Sequence, residues 1–189
     1  MKKELLKIYS LIQGILGFKK FGHNSVIKWP FKVWNKNYIE IGSNVFVAEN
    51  SFFSISKTSD KKPILKIGDS VCIGSNFFVA CIDEIVIENN VLLSDRIFIS
   101  DHIHDYHDVN RPVINQSLLA RGRVKIKSGA FIGINSVIMP GVTIGYNSVV
   151  GASSVVISDV PDYCVATGNP ARIIKQYDIN KKEWVKINS

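Results

Sequence analysis

The sequence predicts an all-β fold, a parallel β-helix of about five coils, from three observations. First, aliphatic residues recur every six positions in the second half of the chain, at Ile126, Ile132, Ile138, Ile144, Val150 and Val156. Six is a multiple of two, so an extended chain keeps them on one face, whereas a helix of 3.6 residues per turn would spread them around its surface. Second, a glycine follows three of them. Third, Gly, Asn and Ser residues separate the short apolar segments, and these suit corners with unusual backbone angles. Such a repeat is typical of stacked coils that bury a shared core.

The chain begins with a segment that we predict to be an amphipathic helix over residues 2–18, within an N-terminal region of residues 1–20. Leu5, Ile8, Ile12 and Ile15 fall at roughly helical spacing, and lysines flank them. The apolar stretch is too short to span a bilayer. Two roles remain open for this helix: packing on the domain or a neighbouring subunit, and lying on a membrane surface.

The coils occupy residues 21–163, because the same spacing extends backwards from the central run. Three earlier coils begin at Ile41, Ile67 and Ile87, and a partial coil is expected near Ile27 and Val33. The longest break in the period, at about residues 100–123, predicts a long protruding loop. Loops on rigid scaffolds often carry binding and catalytic groups. After residue 163 the repeat stops, and residues 164–189 are expected to form a C-terminal arm, either a short basic helix or an extended segment.

Composition limits the function classes only loosely. The 189 residues fit one domain, and 23 basic against 16 acidic residues give a formal net charge of +7. This charge either favours anionic partners or simply keeps the surface soluble.

Three cysteines without metal-ligand spacing indicate small core residues in a reducing cytosol. We therefore expect a cytoplasmic protein, which would be peripheral at the inner face of the membrane if the first helix binds lipid. Scattered lysines and the absence of a recognition motif argue against nucleic acid, and no phosphate loop or nucleophile elbow is present.

Several longer segments resemble the hexapeptide-repeat acyltransferases. They begin at Ile126, Pro140 and Gly151, and the last runs from Gly168 to Arg172. Within that family the chain is most similar to sugar O-acetyltransferases of the maltose and galactoside type and to their relatives in surface-polysaccharide synthesis. The resemblance implies a left-handed parallel β-helix, a homotrimer with active sites between subunits, and a saccharide acceptor that is either free or linked to a lipid or a nucleotide. It also implies acetyl-CoA as co-substrate, with no metal.

The family reaction transfers an acetyl group from acetyl-CoA to a hydroxyl, with a neutral histidine as general base. Histidine suits this step because its ordinary pKa of about 6.5 leaves an unprotonated ring available near neutral pH. A gapless overlay on the family pattern puts His104 at the catalytic position, with His102 as the alternative, since it would project to the same side of a strand. His107 is expected to be only a loop residue.

The resemblance also assigns binding residues. Asn76 and Asp83 match positions that contact the acceptor sugar, although Asn76 would equally suit a corner. The residues expected to contact coenzyme A are Phe131, Gly133, Ala152, Ser158, Arg172 and Lys175. Phe131 replaces a tryptophan that many relatives carry, and the Ile157-Ser158 pair replaces Thr-Lys, so one phosphate-binding cation is missing. Arg172 and Lys175 would bind phosphates or remain solvated.

Three rival functions stay open. The first is N-acetylation of an amino sugar or small amine on the same scaffold. The second is a metal-dependent hydratase, with His102, His104 and His107 as ligands, although three histidines in one loop fit poorly with hydratases that gather ligands from separate coils. The third is a non-catalytic structural β-helix.

Overall fold

A computed structural model of the chain describes residue 12 and residues 17–58 and 62–187. The predicted N-terminal helix over residues 2–18 lies almost entirely outside the described residues. None of the described helices is long and apolar enough to cross a membrane.

Parallel strands form the three faces of a triangular prism. Face A consists of Lys20–Phe21, Ile39–Ile41, Ile64–Ile67, Glu84–Ile87, Val124–Ile126 and Thr143–Ile144. Face B begins with Val26–Ile27, Phe46–Val47, Cys72–Ile73, Leu92–Leu93, Phe131–Ile132 and Val149–Val150. Face C consists of Phe31–Trp34, Ser51–Ile55, Phe78–Cys81, Phe98–Ser100, Val137–Ile138 and Val155–Val156. Each coil contributes one strand to each face, and the fold is the left-handed parallel β-helix that the resemblance implied.

The strand register confirms the six-residue spacing. On face A, Ile41, Ile67, Ile87, Ile126 and Ile144 are aligned partners in successive coils. The corresponding columns run from Val47 to Val150 on face B and from Phe53 to Val156 on face C. All of these residues are buried, so the three columns form the core. Burial of aliphatic side chains at about 25 cal/mol per Å² is the main force that holds the coils together.

The described chain forms six complete coils, one more than the five expected. Ile27 and Val33 pair with the second coil as the partial coil predicted, but Lys20–Phe21 completes the triangle by pairing with Glu40 and Ile41. Phe21 stands six residues before Ile27. Phe21 packs against the core but is only partly buried, and this two-residue strand was not predicted.

Side chains at the corners tie neighbouring coils together. Asp69 Oδ1 accepts a hydrogen bond from the Ser43 backbone N–H at 2.7 Å, and Asn89 Oδ1 accepts one from the Asp69 N–H at 2.8 Å. Gly68 lies beneath the second of these contacts. A Cβ there would approach Asn89 Oδ1 to 2.4 Å and the Glu88 carbonyl carbon to 2.8 Å, so only glycine fits.

The cysteines only partly follow the expectation of core residues. Cys81 and Cys164 are buried, but Cys72 is exposed, so its assignment to the core was wrong. Cys72 directly precedes the core residue Ile73 in a face B strand. In a strand, alternate side chains point to opposite sides, and Cys72 therefore faces outward.

The C-terminal arm is extended rather than helical. Cys164–Gly168 adds a seventh parallel strand to face B, and Ala171–Asp178 and Glu183–Lys186 continue this sheet in antiparallel pairing. The predicted loop near residues 100–123 contains a hairpin of His102–His104 and Leu118–Ala120. Two 3-10 helices, Lys36–Tyr38 and Val113–Asn115, complete the described elements.

Candidate active site

The hairpin starts where the fourth coil leaves the prism. The face C strand Phe98–Ser100 ends there, Asp101 occupies the corner between faces C and A, and the strand His102–His104 turns away from the core. This strand pairs antiparallel with Leu118–Ala120, so the coil does not continue directly into the fifth. The corner therefore projects polar side chains next to a rigid scaffold.

Asp101 is a fully buried carboxylate that is completely hydrogen-bonded. Its Oδ2 accepts the backbone N–H of Asp83 at 2.8 Å, and the Ile82 N–H lies 3.0 Å from Oδ1. His102 Nδ1 lies 2.8 Å from Oδ1. Burial alone would raise the pKa of Asp101, but the hydrogen bonds from His102 and the two backbone N–H groups outweigh it and hold the pKa below its ordinary value. Asp101 is therefore ionised at neutral pH.

A thiol completes the environment of this carboxylate. Burial, followed by the nearby Asp101 charge and the hydrogen bond to it, raises the pKa of Cys81, so the thiol stays protonated. A protonated thiol is a weak hydrogen-bond donor, and the Cys81 Sγ lies 3.5 Å from the Ile64 carbonyl oxygen as well as beside Asp101.

His102 is held in one orientation by its neighbours. Only 12% of its side chain is exposed, and the bond from Nδ1 to Asp101 fixes the ring. The Ser100 hydroxyl donates to the His102 carbonyl oxygen at 2.8 Å and accepts the His102 N–H at 3.2 Å. With the Nδ1 proton directed to Asp101, Nε2 carries a lone pair and has no hydrogen-bond partner among the described residues. An imidazole in this tautomer can accept a proton from a substrate.

His104, the preferred base of the sequence overlay, has a different environment. It lies on the same strand as His102, but it is exposed and its side chain makes no hydrogen bond or ion pair with another described residue. His107 forms a second histidine–carboxylate pair, with Nδ1 2.5 Å from Asp105 Oδ1, and its ring stacks on Tyr106. That pair is on the exposed hairpin loop. Within the described part of the chain, no three His, Cys, Asp or Glu side chains come together as a metal site.

The two predicted acceptor residues are separated in the fold. Asp83 lies at the corner between faces C and A, one coil before His102, and its N–H binds the same carboxylate as the His102 ring. Asn76 lies at the opposite end of the face C strand Phe78–Cys81, at the corner with face B. Its φ of 58° and the bond from its N–H to the Glu49 carbonyl oxygen are those of a corner residue.

The six predicted coenzyme A residues fall into two groups and one separate position. Phe131 lies on face B, and Gly133 follows that strand; a Cβ on Gly133 would lie 2.6 Å from the Ala152 nitrogen, so these two residues stack closely. Ser158 and Arg172 line a cavity of about 450 Å³ between the last coil and the arm, together with apolar residues such as Val156 and Ile173. Lys175 lies on the same arm strand as Arg172 but does not line this cavity.

The cavity and the histidine share one edge of the prism. Ser158 follows the face C strand of the sixth coil, and Asp101 follows that of the fourth. Coils stack at about 4.8 Å, so the two corners are roughly 10 Å apart along the axis. An elongated molecule could therefore contact Arg172 and His102 at once.

Sequence reasoning missed Asp101 and Cys81. The available signal was the Asp-His dipeptide immediately after an apolar strand, because a carboxylate next to a histidine can orient its ring. No pattern in the sequence predicted that Asp101 would be buried.

Comparisons with known proteins agree with this architecture. The family model described as bacterial transferase hexapeptide (six repeats) matches residues 123–158. An Escherichia coli K12 protein named as an O-acetyl transferase of lipopolysaccharide biosynthesis, WbbJ, is 28% identical over 93% of this chain and 91% of its own length. The galactoside O-acetyltransferase of the same organism is 28% identical over 86% of this chain and 75% of its own length. A dTDP-3-amino-3,6-dideoxy-α-D-galactopyranose 3-N-acetyltransferase of Aneurinibacillus thermoaerophilus is 60% identical over 28% of this chain and 27% of its own.

Solved structures have the same fold. The hexapeptide-repeat acetyltransferase VCA0836 of Vibrio cholerae, solved with acetyl coenzyme A, is 25% identical with a TM-score of 0.58, covering 93% of this chain and 88% of its own. A variant of AntD, an N-acyltransferase of Bacillus cereus solved with dTDP and coenzyme A, has a TM-score of 0.76 at 24% identity and covers 90% of both chains. By its repeat, its fold and its relatives, the chain is similar to the hexapeptide-repeat acyltransferases.

Proposed function

We propose that this chain transfers the acetyl group of acetyl-CoA to a hydroxyl of a saccharide, with His102 as general base. The observation that carries the proposal is the pair of His102 and the buried, ionised Asp101 at the edge of an acyltransferase β-helix. This assigns the base two residues upstream of His104, which the sequence overlay preferred. Among the described residues, no side chain fixes the His104 ring.

The proton transfers follow from the His102 tautomer. Nε2 takes the proton of the acceptor hydroxyl while the oxygen attacks the thioester carbonyl, and the imidazolium then returns the proton to the departing thiolate, giving an acetyl ester and free coenzyme A. Asp101 orients the ring and stabilises the imidazolium that forms between these steps. A positioned base of this kind contributes roughly 10²–10⁴-fold in rate.

Acetyl-CoA is the proposed donor because VCA0836, a fold relative, was solved with it. Arg172 at the cavity below the arm suits a phosphate, since a guanidinium makes charge-assisted hydrogen bonds to phosphate oxygens. Gly133 and Ala152, which the resemblance assigns to coenzyme A, stack closely on each other and would offer backbone groups to the donor. Lys175, three residues after Arg172 on the same arm strand, would add a second positive charge.

The acceptor is proposed to be a saccharide destined for a surface polysaccharide, on the strength of the relative named for lipopolysaccharide biosynthesis. Of the two predicted acceptor residues, Asp83 lies next to the Asp101 carboxylate, and it is our candidate for contacting a sugar hydroxyl. A homotrimer with sites between subunits remains part of the proposal.

A second candidate is N-acetylation of an amino sugar. The observation that favours it is the 60% identity over 52 residues to a dTDP-amino-sugar N-acetyltransferase. An amine acceptor would use the same base and the same donor, so only the acceptor atom distinguishes the two functions.

Release of coenzyme A thiol tests the proposal. Purified protein, acetyl-CoA and panels of neutral and amino sugars are incubated with a thiol-detecting reagent, and the acetylated products are treated with hydroxylamine, which cleaves esters but leaves amides. We expect acceptor-dependent thiol release with neutral sugars and a hydroxylamine-labile product. A stable product found only with amino sugars would favour the second candidate, and no release with any acceptor would contradict both.

A further inference from the structure

The positive charge of the chain is concentrated at its N-terminal end. Residues 1–39 contain eight lysines and one glutamate, whereas residues 40–189 contain fifteen basic and fifteen acidic residues. The formal net charge of +7 therefore resides entirely in the first 39 residues. A charge asymmetry of this degree indicates an anionic partner at that end.

The fold gathers part of this charge on an end surface. The first coil supplies the terminal strand of each of the three faces. No other described coil therefore covers its outer end. Lys28 and Lys32 are exposed there and make no ion pair with another described residue, whereas Lys20 lies on face A, where its aligned partner is Glu40. Lys19, in contrast, binds Glu40 at 2.6 Å. The described residues before Glu40 include no carboxylate side chain that would neutralise this end.

Two exposed tryptophans accompany the lysines. Trp29 is 75% exposed at the corner between faces B and C, and Trp34 is 47% exposed on the outer side of face C. Lys32 Nζ lies 4.6 Å from the centre of the Trp34 ring. We call Lys28, Trp29, Lys32 and Trp34 the first-coil surface. Exposed Trp and Lys side chains together are typical of the membrane–water interface.

We propose that the first-coil surface docks this chain on a membrane that contains anionic lipids. Single-stranded nucleic acid binds by stacking successive bases on several aromatic rings, and within the first-coil surface only Trp29 presents an open ring. The Trp34 ring is already flanked by Lys32 and by the edge-on ring of Phe52, at a centroid distance of 4.9 Å. A flat bilayer needs only the exposed corner at Lys28 and Trp29 to approach within a Debye length of about 8 Å.

Membrane docking does not depend on the transfer reaction, but it would bring the His102 site close to the membrane surface. Asp101 and His102 lie at the corner of the fourth coil, three coils above the first. At about 4.8 Å per coil this separation is roughly 14 Å along the axis. A saccharide carried on a lipid would then lie within reach of His102.

Vesicle co-sedimentation of the full chain tests this surface. Wild-type protein should bind vesicles of phosphatidylcholine with phosphatidylglycerol and not vesicles of phosphatidylcholine alone. The double variant Lys28→Glu with Lys32→Glu should lose at least about tenfold in affinity. The matched control, Lys181→Glu with Lys182→Glu, reverses two exposed lysines near the opposite end and should bind as wild type. Absence of wild-type binding, or an equal loss in both double variants, would overturn the proposal.

Tryptophan fluorescence identifies which residues meet the lipid. The chain has three tryptophans, so variants that keep only Trp29 or only Trp184, with phenylalanine at the other two, can be compared. Brominated lipids should quench Trp29 and leave Trp184, on the arm, unaffected. Quenching of Trp184 alone would contradict the proposed docking surface. Loss of vesicle binding in the presence of double-stranded DNA, together with no quenching of Trp29, would contradict it as well. Thermal melting of each variant checks that the fold is retained.

Discussion

Replacing Asp101 by asparagine removes one charge without changing the size of the side chain, and the structure allows its effect to be worked out. The carboxylate accepts hydrogen bonds from His102 Nδ1 and from two backbone N–H groups. An amide offers one oxygen, so its NH₂ group must face at least one of these donors. A buried polar group left unsatisfied costs about 1–3 kcal/mol of stability. His102 loses its charged partner, and a hydrogen bond to a charged group contributes about 1.5–3 kcal/mol.

If that interaction acts in the transition state, kcat should fall about ten- to hundredfold, because 1.4 kcal/mol corresponds to a factor of ten. Steady-state thiol release with saturating acetyl-CoA measures kcat, and a melting temperature above the assay temperature verifies that the variant is folded. The KM for acetyl-CoA should change little, since Asp101 does not contact the proposed donor residues. A folded Asp101→Asn variant with wild-type kcat would refute the reasoning, as would a change confined to KM.

Three further predictions concern the coils, the buried carboxylate and the donor cavity. Gly68→Ala should lower the free energy of unfolding by about 1–3 kcal/mol in urea titrations, because its Cβ meets backbone, while Lys66→Ala on the outer side of the same strand should stay within about 0.5 kcal/mol. The pKa of Asp101 is lowered in the folded state, so its ionisation stabilises the fold above the unfolded value near 3.9, and this contribution is lost as pH falls through the lower folded pKa. The difference in unfolding free energy between wild type and Asp101→Asn should therefore become smaller below about pH 4. A difference that stays constant down to pH 2 would contradict this prediction. Arg172→Ala should raise the KM for acetyl-CoA about tenfold with kcat kept, whereas Lys181→Ala should leave both unchanged.

The fold was predictable from the sequence because its core depends on a local repeat. Ile126, Ile132 and Ile138 show the period directly, and each coil buries the same positions as its neighbour. The first coil was predicted only in part, since the two-residue strand Lys20–Phe21 was not recognised as its face A strand. The antiparallel course of the arm could not be predicted, since its pairing with Cys164–Gly168 depends on contacts outside the repeat.

The candidate site was predictable only to the level of the loop that carries it. A gapless overlay assumes that the chain continues as a regular coil, but at Asp101 it leaves the prism for a hairpin. Charged side chains are rarely fully buried, so nothing in the residue pattern indicated that Asp101 would be enclosed and would orient His102. That environment depends on the N–H groups of Ile82 and Asp83, about twenty residues earlier in the chain.

The most direct measurement of the central claim compares the turnover of His102→Ala with that of His104→Ala. Both variants are assayed for acetyl-CoA thiol release under identical conditions, with acetyl-CoA binding checked by calorimetry. We expect His102→Ala to lose at least about 10²-fold in kcat with donor binding kept, and His104→Ala to stay within a few-fold of wild type. The opposite result, with turnover kept in His102→Ala and lost in His104→Ala, would contradict the assignment of the general base to the histidine that Asp101 holds.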